Sequence, residues 1–318
     1  MKYLFFDIEC AGVYKNMAKI CAFGYCLTDE QFHILEKEDI LINPQGGFHL
    51  TDRKGEQGLV LPYKYEDFKT YPTFKQQSER IYALLQDSDT LVLGHAVQND
   101  VKYLNLESKR FSLPSFCFRF ADTQFLYMNM EGDFSRQYGL SGIAERLGVE
   151  FTPHRAVDDA YATMKIAEAM CKRENCSIIE LLKKYSVYTG TICDYEITQS
   201  TSAGFEKYKK EREKQKRQRE RARAEFHVFA ERAKRKRAKE GKLQDKTVCF
   251  SHAVELDTPL AKKLLQAAFA QAARVTFRAE ECDLYVCYEE ENCPRKKSVQ
   301  AKNTPIYTPE SFAQYLGL

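Results

Sequence analysis

The chain has 318 residues, 44% apolar and 13% aromatic, which is enough to bury the cores of two domains and excludes wholesale disorder. Its formal charge of +3 hides a segregation: residues 206–242 hold 17 Lys and Arg against 7 Asp and Glu, and the remainder carries 31 against 38. A basic strip on an acidic body suits a protein that handles a polyanion with carboxylate chemistry.

Residues 2–7 read as a short apolar strand, followed by strand-like segments at 18–27 and 31–42, rich in Ile, Phe, Tyr and Cys. A polar, Gly-containing stretch over 43–71 leads to a helix over 73–86, in which Ile81, Leu84 and Leu85 stand at helical spacing behind Thr73. A buried strand at 90–94 ends in Gly94, and a helix starts after Asn99. Residues 116–121 form a strand, and 140–147 and 156–172 form helices. Strands first, then strands alternating with helices, predict an α/β domain with a mixed sheet over residues 1–185. Residues 186–245 are expected to be a linker. Its 205–243 part is charged on every side, so the pattern predicts a long basic helix with no core face, spanning about 57 Å at 1.5 Å per residue. Residues 246–318 then give a second, smaller α/β domain, with strands at 247–250, 274–277, 283–287 and 305–307 and helices at 260–273, 296–302 and after Thr308.

Eleven cysteines, an odd number with no CxxC spacing, sit mostly inside apolar runs. They are read as reduced thiols of a cytoplasmic protein. Cys282, Cys287 and Cys293 fit no usual zinc spacing and are read as strand and loop residues. Asp7 and Glu9 interrupt the N-terminal apolar run, and no run reaches membrane-spanning length, so no membrane partner is expected.

Asp7 and Glu9 are two apart on the first strand and point to one face. Asp100 opens a helix after a strand, and His154, Asp158 and Asp159 open a late one. Taken singly these are ordinary salt-bridge or helix-start acids. Taken together, four carboxylates and a histidine make a poor core and a good site for hard divalent cations, Mg²⁺ or Mn²⁺, two of which stabilise both the attacking and leaving oxygens of a phosphodiester.

At these residues the sequence resembles the DEDDh 3′→5′ exonucleases, the RNase H-like family of the proofreading epsilon subunit of bacterial replicative polymerase. The resemblance covers about residues 1–175: FFDIEC, GHAVQND, Ala121–Thr123, YGLSGIAERLGV and HRAVDDA. It implies that Asp7, Glu9, Asp100 and Asp159 bind two metal ions and that His154 activates the attacking water. The His-x4-Asp spacing selects Asp159 over Asp158, and Arg155 excludes the subgroup with Tyr four residues before the last Asp. Ile8, Cys10, His95 and Asn99 fall where the family meets substrate. One departure leaves DNA against RNA open: Ala96 and Asn99 stand where many DNA-acting members have Asn and Phe. In a second, Cys10 stands where Thr is frequent, so a side-chain hydroxyl contact to the terminal nucleotide is not expected there.

Residues 246–318 are distantly similar to a BRCT domain in the order of their elements and in the closing Thr304–Phe312 run, without its Trp or its Gly pair. This implies a module that docks protein or DNA. The expected function is metal-dependent 3′→5′ hydrolysis of single-stranded DNA ends. The alternatives are RNA trimming by the same residues and a catalytically silent tether. The basic helix is read either as a spacer laced with internal ion pairs or as a polyanion contact.

Overall fold

A computed structural model describes residues 1–49 and 60–318, which fall into two compact units, Met1–Lys209 and Lys210–Leu318. Part of the polar 43–71 stretch, residues 50–59, lies outside the described residues.

The first unit begins with β1 (Lys2–Tyr14), β2 (Met17–Thr28) and β3 (Ile34–Leu41), an antiparallel meander. Then follow α1 (Phe74–Leu85), β4 (Thr90–Gly94), α2 (Gln98–Arg110), β5 (Phe118–Asp122), α3 (Thr123–Glu131), α4 (Leu140–Leu147), α5 (Ala156–Glu174) and α6 (Ile178–Lys184). The unit closes with β6 (Val187–Tyr188), β7 (Gly190–Cys193), β8 (Glu196–Thr198) and β9 (Thr201–Ser202). Seven strands form one sheet in the order β3-β2-β1-β4-β5-β7-β8. β4 runs parallel to both β1 and β5, and β7 returns antiparallel to β5. The sheet therefore extends beyond residue 185: β7 and β8 lie inside the segment expected to be linker.

The period-2 pattern of β1 sorts two cores. Tyr3 and Phe5 pack with Met164, Ala167 and Met170 of α5 on one face. Leu4, Phe6 and Ile8 pack with Ile81 of α1 and Leu104 of α2 on the other. β1 is longer than the six residues expected because it continues past register irregularities at Glu9–Cys10 and Cys10–Gly12. Such bulges let a strand re-aim its side chains without ending. Cys117 and Cys193 form a disulfide, with Cα atoms 4.2 Å apart; they are the exception to the reading of the cysteines as reduced. No helix of the described residues is long and apolar enough to cross a membrane.

The basic segment forms α7 (Ala203–Ala233), ending in a short 3₁₀ turn, Lys234–Lys236. The expectation that it lacks a core face is corrected within the second unit. There Phe226 and Ala230 are buried, and Phe229 and Ala233 pack beside them. These four residues, at i, i+3, i+4 and i+7, are an apolar stripe that the surrounding charge hides when the whole segment is averaged.

The second unit continues with β10 (Thr247–Phe250), α8 (His252–Leu256), α9 (Thr258–Ala270), β11 (Arg274–Val275), β12 (Leu284–Val286), α10 (Pro294–Ala301), β13 (Ile306–Tyr307) and α11 (Pro309–Leu316). Its strands form a parallel sheet in the order β11-β10-β12-β13.

Candidate active site

Asp7 and Glu9 continue the Tyr3, Phe5 series of β1, so they emerge on the face that carries α5. The start of α5 is held there by three devices. Gly24, opposite Asp7 in the β1–β2 register, offers no side chain where the backbone of Ala156 and Val157 passes. The Ala156 N–H donates to Tyr63 Oη at 3.0 Å, and Tyr63 in turn donates to Asp39 Oδ2 of β3 at 2.9 Å. Arg155 Nε lies 3.5 Å from the same Asp39 oxygen. One turn on, Asp159 is buried and accepts the His154 backbone N–H at 2.9 Å. His154 itself has a positive φ of 68°.

The result is that ligand-capable atoms of Glu9, His154 and Asp159 all lie within 4.8 Å of one another. Asp158 turns away, toward Arg155 Nη1 at 3.8 Å. Asp100, in the first turn of α2, is buried and close enough to Asp7 and Glu9 to feel both charges. Asp7 and Glu9 have no hydrogen-bond donor to their carboxyls among the described residues.

The carboxyls accordingly resist ionising. Burial, then Asp159 and Asp39, pushes Asp7 up to about 8. Burial, then Asp7, Asp159 and Asp39, pushes Glu9 to about 9. Asp159 rises to about 7 by burial, against the pull of the His154 N–H. Asp100 is raised as well, by burial and by Asp7, Glu9 and Asp122. A cluster of acids that cannot all be anionic by themselves is the donor set a hard divalent cation needs. Glu9 and Asp159, with His154, are close enough to hold such an ion, and Asp7 and Asp100 lie within charge reach of that group.

The other residues singled out in the sequence are placed differently. Ile8 points into the core on the α1 and α2 side and leaves only its backbone at the site. Cys10 sits at the β1 irregularity, partly buried, with its thiol pushed up by burial. Asn99 is exposed beside Asp100. His95 is enclosed: its Nε2 donates to the Tyr138 carbonyl at 2.9 Å and its Nδ1 meets Thr123 Oγ1 at 3.1 Å. Burial lowers its pKa to about 4, so it is a neutral strut between the β4–α2 loop and α3.

Three residues were not singled out in advance. Asp122, at the end of β5, accepts N–H groups of Ala96 (3.0 Å), Val97 (3.1 Å) and Gln124 (2.8 Å) and so shapes the loop that delivers Asp100. Asp39 and Tyr63 fix the start of α5. Only Asp122 lay in a segment that carries the family resemblance, Ala121–Thr123.

A family model described as Exonuclease (RNase_T) matches residues 4–167, just over half of the chain. No curated protein sequence matches. Among solved structures, similarity is found to a 3′-exonuclease that recognises the 3′ end of a histone mRNA stem-loop, at 14% identity and a TM-score of 0.48, covering 64% of this chain and 71% of that one. A full-length 3′-exonuclease matches at 14% and 0.47, covering 64% and 90%. E. coli exonuclease I in complex with a dA16 oligonucleotide matches at 16% and 0.44; the two share 57% of this chain and 42% of that one.

Proposed function

Because the chain belongs to the Exonuclease (RNase_T) family and its first unit has the mixed α/β, RNase H-like fold of such enzymes, we propose that it removes nucleotides from the 3′ end of single-stranded DNA by divalent-metal-dependent hydrolysis. The observation that carries this is the gathering of Glu9 and Asp159 around His154, with the charges of Asp7 and Asp100 within reach of them.

In this reading Asp7, Glu9, Asp100 and Asp159 hold two ions, Mg²⁺ or Mn²⁺. When bound, they supply a lowered pKa for the attacking water and charge stabilisation of the phosphodiester oxygens. The chain's own contribution is positional. His154 is exposed, so one of its imidazole nitrogens is free to take the water's proton. Its backbone N–H keeps one oxygen of Asp159 oriented. Asp122 holds the Ala96–Val97 loop, and Tyr63 and Asp39 hold α5, so that carboxylates from three elements need not search for one another.

The same residues serve a ribonuclease, and the Ala96 and Asn99 departures keep RNA trimming as the second reading. The C-terminal unit, BRCT-like in its order of elements, is read as a docking module. The test is degradation of 5′-labelled single-stranded DNA and RNA side by side, with Mg²⁺, Mn²⁺ or EDTA. Stepwise shortening from the 3′ end, stopped by EDTA, is expected. Full-rate activity in EDTA overturns the metal reading, and internal cuts overturn the exonuclease polarity.

A further inference from the structure

The second unit has a concave basic surface that the hydrolytic site does not use. A cleft of about 560 Å³ lies between the end of α7 and the edge strand β11, with Lys234, Arg237, Arg274 and Phe277 in its wall. A neighbouring hollow of about 660 Å³ shares Lys234 and Glu231 with it and adds His227, Arg232 and Arg235. The two adjoin at Glu231 and Lys234.

Most of the cations lining these hollows are unpaired, although Glu231 and Glu281 also line them. Some other cations of the unit are paired: Arg223 with Glu255, Lys262 with Glu225, Arg278 with Glu281. Arg274 is held by Asp245 at 3.1 Å. Arg232, Lys234, Arg235 and Arg237 are exposed and have no acidic group within 4.0 Å among the described residues. The picture of a helix laced with internal ion pairs also fails numerically. Among the described residues, the only ion pairs between side chains of α7 are Lys216–Glu220 at 3.9 Å and Arg217–Glu213 at 3.8 Å, and both are long and exposed. Four like charges within six residues repel, and no ion pair within 4.0 Å among the described residues offsets them.

Beside the cations lies an aromatic pair: the His227 ring stacks on Phe277 with centroids 3.7 Å apart, and each residue lines one of the two hollows. Exposed, mostly unpaired cations along a groove with a half-buried aromatic pair beside it match what a single nucleic-acid strand requires, phosphates on the cations and a base against an outer ring face. An acidic peptide satisfies the cations but leaves the aromatic pair unused. A lipid surface meets a concave wall with only Val228 as a large exposed apolar side chain.

We infer that the groove formed by Arg232, Lys234, Arg235, Arg237, Arg274 and the His227–Phe277 stack binds single-stranded nucleic acid. This rests on the proposed function only in its choice of ligand. The experiment titrates a fluorescent 30-nucleotide single strand against the full chain over a salt series, using the Asp7→Asn background so that the strand survives.

Lys234→Glu, Arg235→Glu and Arg237→Glu together are expected to weaken binding at least tenfold at low salt. They should also make the slope of log affinity against log salt shallower by about 2, at roughly 0.7 for each phosphate no longer neutralised. The matching Gln set should shift in the same direction, and His227→Ala should cost roughly tenfold, the order of one missing stack. Lys263→Glu with Lys297→Glu, exposed cations elsewhere in the unit, should change neither quantity. Unchanged binding by the triple variants overturns the inference, as does an equal loss from the control pair. Competition by polyglutamate or anionic vesicles as strong as by unlabelled strand also overturns it, in favour of an acidic protein or a membrane. Hydrolysis of a dinucleotide by the triple variant with Asp7 intact should match the parent. If the parent shows no hydrolysis, the proposed function fails while the binding result stands.

Discussion

The backbone of Ala156 lies so close to Gly24 that a β-carbon on the strand would stand 2.0 Å from the Ala156 carbonyl carbon. No side-chain rearrangement relieves a clash with main chain, so any other residue at 24 must push the first turn of α5 off the sheet. Asp159 would move with it. Gly24→Ala is therefore expected to lower turnover by roughly 10²-fold, the scale of a 1 Å misplacement, while circular dichroism still reports an α/β protein. Wild-type turnover in that variant would show that the approach of α5 is not needed.

Asp158 and Asp159 should separate cleanly. Asp159 is buried against the His154 N–H, and Asp158 is turned toward Arg155. Asp159→Asn is expected to reduce hydrolysis to background, and Asp158→Asn to change it only a few-fold. His154→Ala should lose roughly 10²–10⁴-fold in kcat, the worth of a positioned general base. Steady-state kinetics on a labelled strand reads all three, and a severe Asp158→Asn would move the third motif by one position.

Removing the Tyr63 hydroxyl leaves the Ala156 N–H without an acceptor and takes a donor from Asp39. Tyr63→Phe should destabilise the fold by about 1–3 kcal/mol and reduce kcat more than it raises KM, because the residue holds α5 and does not meet the strand. An effect confined to KM would place Tyr63 against the substrate instead.

Metal binding should appear in stability as well as in rate. Mn²⁺ is expected to raise the melting temperature of the wild type, since it binds only the folded cluster, and to leave Asp7→Asn nearly unmoved. A rise of equal size in both would put the ion elsewhere.

His95 supplies a stability signature with a definite sign. Its folded pKa of about 4 lies below the ordinary 6.5, so its contribution is present above pH 6.5 and is lost as pH falls toward 4. The shift corresponds to roughly 3 kcal/mol. In urea unfolding between pH 4 and 7, wild type minus His95→Gln should decline by about that order toward the acid end. A flat difference would mean that His95 charges without cost.

Much of the site was legible because its parts are local. The period of a strand places Asp7 and Glu9 on one face, and the His-x4-Asp spacing separates Asp159 from Asp158. Asp39 and Tyr63 were not legible: their roles exist only once β3 and the 60–71 loop are brought against α5, an approach that no local spacing encodes. Gly24 carried a readable signal, a lone glycine inside an apolar strand, but not the identity of what approaches it. His95 was read as a substrate contact from its neighbours in the motif, whereas its ring is consumed by Tyr138 and Thr123. The core face of α7 was missed because four apolar positions are diluted by the charge around them.

The Cys117–Cys193 disulfide turns a stretch of the chain into a covalent ring spanning a separation of 76 residues. Asp122, His154 and Asp159 are inside that ring, while Asp7, Glu9 and Asp100 are on the tail that enters it. A single backbone nick between α3 and α5 therefore releases nothing: the cut ends stay tethered through sulfur, and the fragment bearing the last carboxylate cannot diffuse away from the strand that bears the first. Oxidised and nicked, the protein would run as one chain on a denaturing gel and come apart only when a thiol is added.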